Sequence, residues 1–522
     1  MKKYVSMLLA AAMLLCLCAI GPAALAAEDG TPVKTDLVFG MPGPIGNYLY
    51  GHNACGTESL VWEVFDPIIF TNPVTKEFDS DIVDFEYQDD NTLVLTVKDG
   101  VTFTEGETLT GEDILFTIQS EVSPERASRN ASKLAIFNLE KSYVGDDGMT
   151  VYLVTDQVEA SALTNLMIPA LSKSWVEANG WDSELWYTAP NGTGPYYVTE
   201  NKTGISSTVT LKDEVKDGTY WNKDFTTDIE TVTGIHYDDK SVMFIDVENG
   251  DLDFAFQIDS VDYARIESDG LTNVTGVLLP YDDVQMLSFD IDDGPGADEN
   301  LRAAIAYGVN WADVALAAWE DYGMPASSIL ASTMGDVFKD VGQYEYDPAL
   351  AQEYADKVTG PKELTISIFT DPLYVQECEV IRAYLQQLGI TFNTNVTDMA
   401  TFFANNAQGV GDCDFCRYPN GNISHEPYLC LGNFERNSIF PNTNMGADPE
   451  ICDLMEAARH TLDKGERAEL YGQVQQYFKD HYLAIPIAEV YGAYAYNNQC
   501  WAGADIVATN AANLRYVHCL YE

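Results

Sequence analysis

The sequence predicts an α/β protein built of two or three packed lobes, on three observations. Short β-type runs alternate with amphipathic helical stretches along the chain. No Ser/Gly linker, low-complexity tract or repeat period interrupts its 522 residues. Setting aside a 26-residue leader leaves 496 residues, too many for one core of the usual ~100 to 200.

The leader comes first. Lys2 and Lys3 precede an apolar run from Met7 to Ile20, followed by Pro22-Ala23-Ala24-Leu25-Ala26-Ala27, the pattern of a secretory signal peptide. The 14-residue run is short of the roughly 20 that a membrane-spanning helix needs. Cleavage after Ala24-Leu25-Ala26 follows the A-x-A rule. Leu15-Cys16-Leu17-Cys18 offers a competing lipidation site, against which the bulky Leu17 stands. The expected product is exported and extracytoplasmic, either released by simple cleavage, the preferred reading, or lipid-anchored.

Composition narrows the partners. Hydrophobic content of 46% with 11% aromatics is that of a globular protein. The formal charge is -53 and the leader contributes +2, leaving -55 on the mature chain. Such a chain repels phosphate backbones and has no basic stripe to neutralise them, so nucleic acid is not an expected partner. The field slightly favours cationic ligands. Its plainer consequence is a soluble monomer. Of ten cysteines, Cys16 and Cys18 leave with the signal; Cys55, Cys378, Cys413, Cys416, Cys430, Cys452, Cys500 and Cys519 remain. An oxidising compartment allows disulfides among them, with connectivity not readable from spacing.

Taking the elements in order, Leu93 to Val97 reads as a strand, and Gly111-Glu112-Asp113 opens a helix through Ile114, Leu115 and Ile118, with acids at its positive end. Leu301 to Val309 reads as helical. Leu364 to Phe369 reads as a strand, a helix follows from about Val375 to Leu388 and stops at Gly389, and Ile390-Thr391-Phe392 begins another strand. The last three form a βαβ unit.

The stretch Asn91 to Ile114 (NTLVLTVKDGVTFTEGETLTGEDI) resembles a signature of the extracytoplasmic solute-binding proteins of peptide and nickel importers, the family that includes the oligopeptide- and dipeptide-binding proteins. Glu63 to Ile69, Gly192 to Tyr196, Tyr220-Trp221-Asn222, Val247 to Asp253, Leu301 to Tyr307, Tyr346 to Ala351, Leu388-Gly389-Ile390 and Ala484 to Ile487 resemble further family segments. Several glycines among them serve turns that need an unrestricted backbone.

The resemblance implies a two-lobe periplasmic-binding-protein-like fold of type II, large class, with an extra subdomain in the first lobe and hinge closure over a cleft. On that basis residues 27–70, 190–282 and 480–522 form lobe I, 71–189 the extra subdomain and 283–479 lobe II, after a signal at 1–26. It also implies a peptide or other small-solute ligand, permease subunits of an ABC importer as partners, no cofactor and no catalysis.

By the same resemblance, Gly46 to Glu58 and Asp414 to Tyr418 face the cleft. The implied ligand contacts are Asn47, Tyr48, Cys55 and Gly56 from the first, and Phe415, Cys416, Arg417 and Tyr418 from the second. Peptide-binding relatives have a Trp where this chain has Phe415. Three positions later, where Tyr418 stands, they have an Asp that pairs with the peptide's amino terminus. A phenol offers a hydrogen bond and a ring face but no counter-charge, so a free peptide amine loses its expected anchor. Arg417 could hold a ligand carboxylate bidentately, although an ion pair with a nearby acid is the preferred reading. Among the aromatics, Trp62 reads as core, while Tyr48 and Tyr418 are balanced between core and stacking on ligand.

Other chemistry finds little footing. Cys413-Asp414-Phe415-Cys416 with His425-Glu426 lacks the second ligand pair a structural zinc site wants, so no metal is expected. His425 to Leu429 fails the H-E-x-x-H pattern, and no G-x-S-x-G or S-x-x-K motif stands where a hydrolase needs one. A secreted hydrolase and a sensor presenting ligand to a receptor are the two rival classes.

Overall fold

Two long strands organise the molecule. In the computed structural model, which describes residues 32–52, 55–72, 75, 77–319, 322–370, 372–398, 401–402, 413–416, 426–435, 447–502 and 518–519, Val274–Phe289 and Ala484–Asn497 pair antiparallel. Leu287, Phe289, Ile485, Ile487 and Val490 are buried along them, and such apolar positions keep a central strand in the core. The ladder breaks once between Pro280 and Val284, where Tyr281, Asp282 and Asp283 oppose a single residue, and slips again between Gln285 and Met286. Pro280 has no N–H for the ladder, and the extra residues form a bulge that bends and twists the pair.

The described strands on either side of these two form one eleven-stranded sheet. Beyond one edge lie Phe254–Ala255, Asp36–Met41, Thr231–His236, Ser206–Leu211 and Tyr196–Lys202; beyond the other lie Cys413–Cys416, Glu363–Phe369 and Thr391–Thr397; the eleventh strand, Gly323–Pro325, pairs with Ala484–Asn497 at Ala488–Val490. The first group belongs to the half of the molecule before the bulge and the second to the half after it. One apolar cluster runs through both, from Leu37 and Phe39 to Leu364, Ile366 and Ile368, and another fills the second half around Met286, Ile451, Val474 and Phe478.

A smaller unit carries its own core. Val83–Asp89, Thr92–Val97, Thr150–Val154 and Tyr143–Val144 form a four-stranded antiparallel sheet. Leu93, Leu95, Val151 and Leu153 pack beneath helix Gly111–Val122 through Ile114 and Ile118. That helix starts where Asp113 Oδ2 accepts from Thr110 N at 2.9 Å and from Thr110 Oγ1 at 2.6 Å, satisfying an amide that the helix itself cannot.

The expected βαβ unit is present: Glu363–Phe369 and Thr391–Thr397 pair in parallel, joined by helix Pro372–Leu385 and a 3₁₀ turn Gln386–Leu388. The helix begins three residues before the expected Val375, because Pro372 fits the first helical turn where no donor is needed. Gly389 ends it at φ +68°, a conformation open to glycine at little cost. The expected helix over Leu301 to Val309 is Glu299–Gly308, started by Asp298, whose carboxylate accepts from Asn300 N at 2.9 Å. Among the described residues no helix is long and apolar enough to cross a membrane. The predicted signal at 1–26 lies outside them.

Candidate functional site

Strand direction locates the site. Asp36–Met41 is parallel to Thr231–His236 and to Phe254–Ala255. Phe254–Ala255 is antiparallel to Ala484–Asn497, hence parallel to Val274–Phe289. These three strands therefore run from the first half toward the second. Cys413–Cys416 is antiparallel to Val274–Phe289 and parallel to Glu363–Phe369, which is parallel to Thr391–Thr397; this set runs back toward the first half. The carboxyl ends of both sets thus face each other across the bulge. Ligands of open α/β sheets bind outside the carboxyl ends of the strands, and here two such edges confront one another.

The wall from the first half is the segment that leaves Met41. Its turns are pinned by hydrogen bonds: Gly46 N donates to Thr57 Oγ1 at 2.6 Å, Asn201 Nδ2 donates to Gly46 O at 2.9 Å, and Tyr48 N donates to Trp186 O at 2.9 Å. Behind it, the buried Arg126 donates to Tyr50 O at 2.7 Å and to Ser120 Oγ at 2.9 Å, and pairs with Glu121 at 2.8 Å. Its guanidinium lies 4.9 Å from the Trp181 ring. Burial pulls the Arg126 pKa down, with Glu121 opposing.

The predicted residues of this wall separate. Asn47 is half-buried, and its Oδ1 accepts from Leu49 N at 3.1 Å, shaping the turn. Tyr48 is a core residue in this structure: it is 0% exposed, packs in the main apolar cluster, and its hydroxyl lies 2.9 Å from Ser207 Oγ. That placement contradicts an open ring face for ligand. Cys55 and Gly56 sit in the 3₁₀ turn Cys55–Thr57. Gly56 is there for close approach, since a Cβ would come within 2.1 Å of Gly43 O and 2.6 Å of Pro44 O. Trp62, expected in the core, is only half-buried and lies against Tyr50 at 5.0 Å.

At the bulge, acids are buried. Asp282, Asp283, Glu377 and Glu489 are at most 2% exposed. Thr333 Oγ1 donates to Asp282 Oδ1 at 2.7 Å, and Glu489 Oε2 accepts from Ser332 N at 3.0 Å and Ser332 Oγ at 2.6 Å. Glu377 receives Gln285 Nε2 at 2.9 Å and Trp319 Nε1 at 2.8 Å. Burial pushes the Glu489 carboxyl above its ordinary range, partly opposed by Ser332. The hydroxyls of Tyr281 and Tyr494 are hydrogen-bonded to each other, and burial pushes Tyr494 up to about 12. Nothing in the sequence singled out these four among 81 acidic residues.

From the second half, Phe415 and Cys416 lie at the carboxyl end of Cys413–Cys416, in register with Leu287 and Met286 just past the bulge. Arg417, Tyr418 and His425 lie outside the described residues. Cys378 and Cys500 are free thiols, and burial pushes Cys378 up to about 12. Among the described residues no group of three or more His, Cys, Asp or Glu is placed to hold a metal ion.

Residues 82–439 match the family model described as bacterial extracellular solute-binding proteins, family 5 Middle. The dipeptide-binding protein of Escherichia coli K12 is 23% identical over 355 residues, spanning 66% of this chain and 65% of the relative. The heme-binding protein A of Haemophilus influenzae is 21% identical over 417 residues, 75% of this chain and 73% of the relative. Among solved structures, the ABC transporter substrate-binding protein CtaP of Listeria monocytogenes superposes with a TM-score of 0.80 at 20% identity, covering 94% of this chain and 100% of that one. The periplasmic binding protein DppA of Helicobacter pylori, in complex with the peptide STSA, gives 0.73 at 17% identity, covering 92% and 98%.

Proposed function

The chain belongs to the bacterial extracellular solute-binding proteins of family 5, and we propose that it captures a peptide or similar small solute between its two halves and delivers it to the permease of an ABC importer. The observation that carries this reading is the pair of opposed strand edges: the carboxyl ends of both parallel sets converge on one bulged crossing of two strands. A bulge there provides a hinge, and contacts made only in the closed form shift the population toward it. The two relatives named for peptides, the dipeptide-binding protein and the peptide-bound DppA, support peptide as the ligand class.

The proposed ligand contacts are Asn47, Cys55 and Gly56 in the loop after Met41 and Phe415 and Cys416 at the strand end opposite, with Arg417 and Tyr418, which follow in sequence and lie outside the described residues, as further contacts. Tyr418, in place of a carboxylate, favours ligands whose amine is already blocked or engaged elsewhere. The mature protein is a monomer released by cleavage after Ala26.

Native mass spectrometry of the protein purified from its host and then exposed to pooled tripeptides, free and N-acetylated, tests the reading. Retention of peptides that are released unchanged on denaturation is expected, with the N-acetylated pool held at least as well as the free one. Failure to retain any peptide would overturn the ligand class; strong preference for free amines would overturn the role of Tyr418.

A further inference from the structure

We propose that Arg459 and Glu159 form a latch that holds the two halves together and so sets ligand affinity without touching ligand. The four-stranded unit is fastened to the first half: Thr104 N donates to Gly192 O at 2.9 Å, Ile68 N to Ile168 O at 2.8 Å, and Leu171 N to Thr117 Oγ1 at 2.9 Å. Arg459 ends helix Pro449–Arg459, whose Ile451, Met455 and Ala458 pack into the core of the second half. Between these two bodies the chain passes through the crossing strands, so rotation about their bulge must change the distance from Glu159 to Arg459.

The contact is built as a fitted joint. Arg459 Nε lies 3.1 Å from Glu159 Oε2, and the same guanidinium lies 3.3 Å from Glu435 Oε1 and 4.1 Å from the centre of the Tyr428 ring. Ala160 N donates to Arg459 O at 3.1 Å, capping a helix carbonyl from across the divide. His460 Nδ1 meets Val158 O one residue further on. The side chains of Arg459 and Glu159 are only 19% and 9% exposed, unlike the freely solvated pair Lys464–Glu77, whose side chains are 84% and 72% exposed. Exposed pairs contribute little. A desolvated, ring-stacked arginine shared between two carboxylates contributes more, and removing Arg459 strands the charge of Glu159. Opening would part Glu159 from Arg459, leave Arg459 paired with Glu435 on the second half, and uncap the helix end. The latch therefore favours the closed form, and by linkage any ligand that needs that form binds more tightly.

This rests on a moving two-lobe receptor but not on the identity of its ligand. The test compares wild type with Arg459→Ala, Glu159→Gln and the exchanged pair Arg459→Glu/Glu159→Arg, following release of the retained tripeptide pool after dilution. The single variants are expected to release it roughly tenfold faster, and the exchanged pair to recover part of the loss. In parallel, Ala160→Cys/Arg459→Cys is oxidised without ligand; a cross-link that forms and gives a more compact scattering profile than the reduced form supports the latch. Unchanged release in both single variants with unchanged melting temperatures overturns it, as does a cysteine pair that never cross-links. Should wild type retain no peptide, the cross-link and scattering still decide the latch, and only the ligand class falls.

Discussion

At the scale of the residue, Tyr48 and Gly56 stand on one loop but differ in what surrounds them. Tyr48 carries an aromatic ring in a loop expected to face ligand, yet it is fully buried with its hydroxyl on Ser207. Tyr48→Phe should therefore cost about 1 kcal/mol in chemical denaturation and leave peptide retention unchanged; a loss of retention without loss of stability would contradict its core role. Gly56 is the opposite case, because it touches backbone and nothing softer can yield. Gly56→Ala should lower stability by about 1–3 kcal/mol and weaken retention as well, since the loop from Gly43 must move to clear 2.1 Å. The two substitutions measured together distinguish a residue that supports the wall from one that shapes it.

At the scale of the element, the crossing strands carry both the geometry and an unusual charge burden. The folded protein keeps the Glu489 carboxyl protonated at pH values where the unfolded chain has lost that proton, because burial raises its pKa. Stability contributed by this group is therefore complete below the ordinary carboxylate range and declines as pH rises through the raised folded value. Glu489→Gln, which can still accept from Ser332, should gain on wild type in denaturant titrations as pH rises from below to above the ordinary carboxylate range; parallel curves would contradict the burial argument. Elements whose signals are local were legible in the sequence. The helix at Gly111 announces itself by Glu112 and Asp113 at its positive end, and the βαβ unit by an alternating strand, an amphipathic helix and Gly389. The bulge at Pro280–Val284 was not legible, because a register shift exists only between partners, and Val284 meets Glu489 across 205 residues of sequence. For the same reason the burial of Glu377, Asp282 and Asp283 was hidden among many solvated acids. Tyr48 was ambiguous because a loop has no periodicity to assign its side chains a face.

At the scale of the molecule, the family signature from Asn91 to Ile114 falls largely in the four-stranded unit, away from the confronting strand ends, so it identified the scaffold while saying little about what the cleft holds. The two halves share one continuous sheet and an apolar cluster, and among the described residues Val274–Phe289 and Ala484–Asn497 shift register against each other between them. Under the proposed function, such an arrangement would transmit closure as a rigid-body rotation. The -53 charge of the chain makes copies repel one another at low ionic strength, which supports the monomer proposed above. The most direct measurement is small-angle scattering of the wild-type protein before and after loading with the tripeptides it retains. A smaller radius of gyration in the loaded protein, reversed when the peptides are dialysed away intact, is predicted. Profiles that superpose with and without a saturating, demonstrably bound peptide would contradict capture by closure.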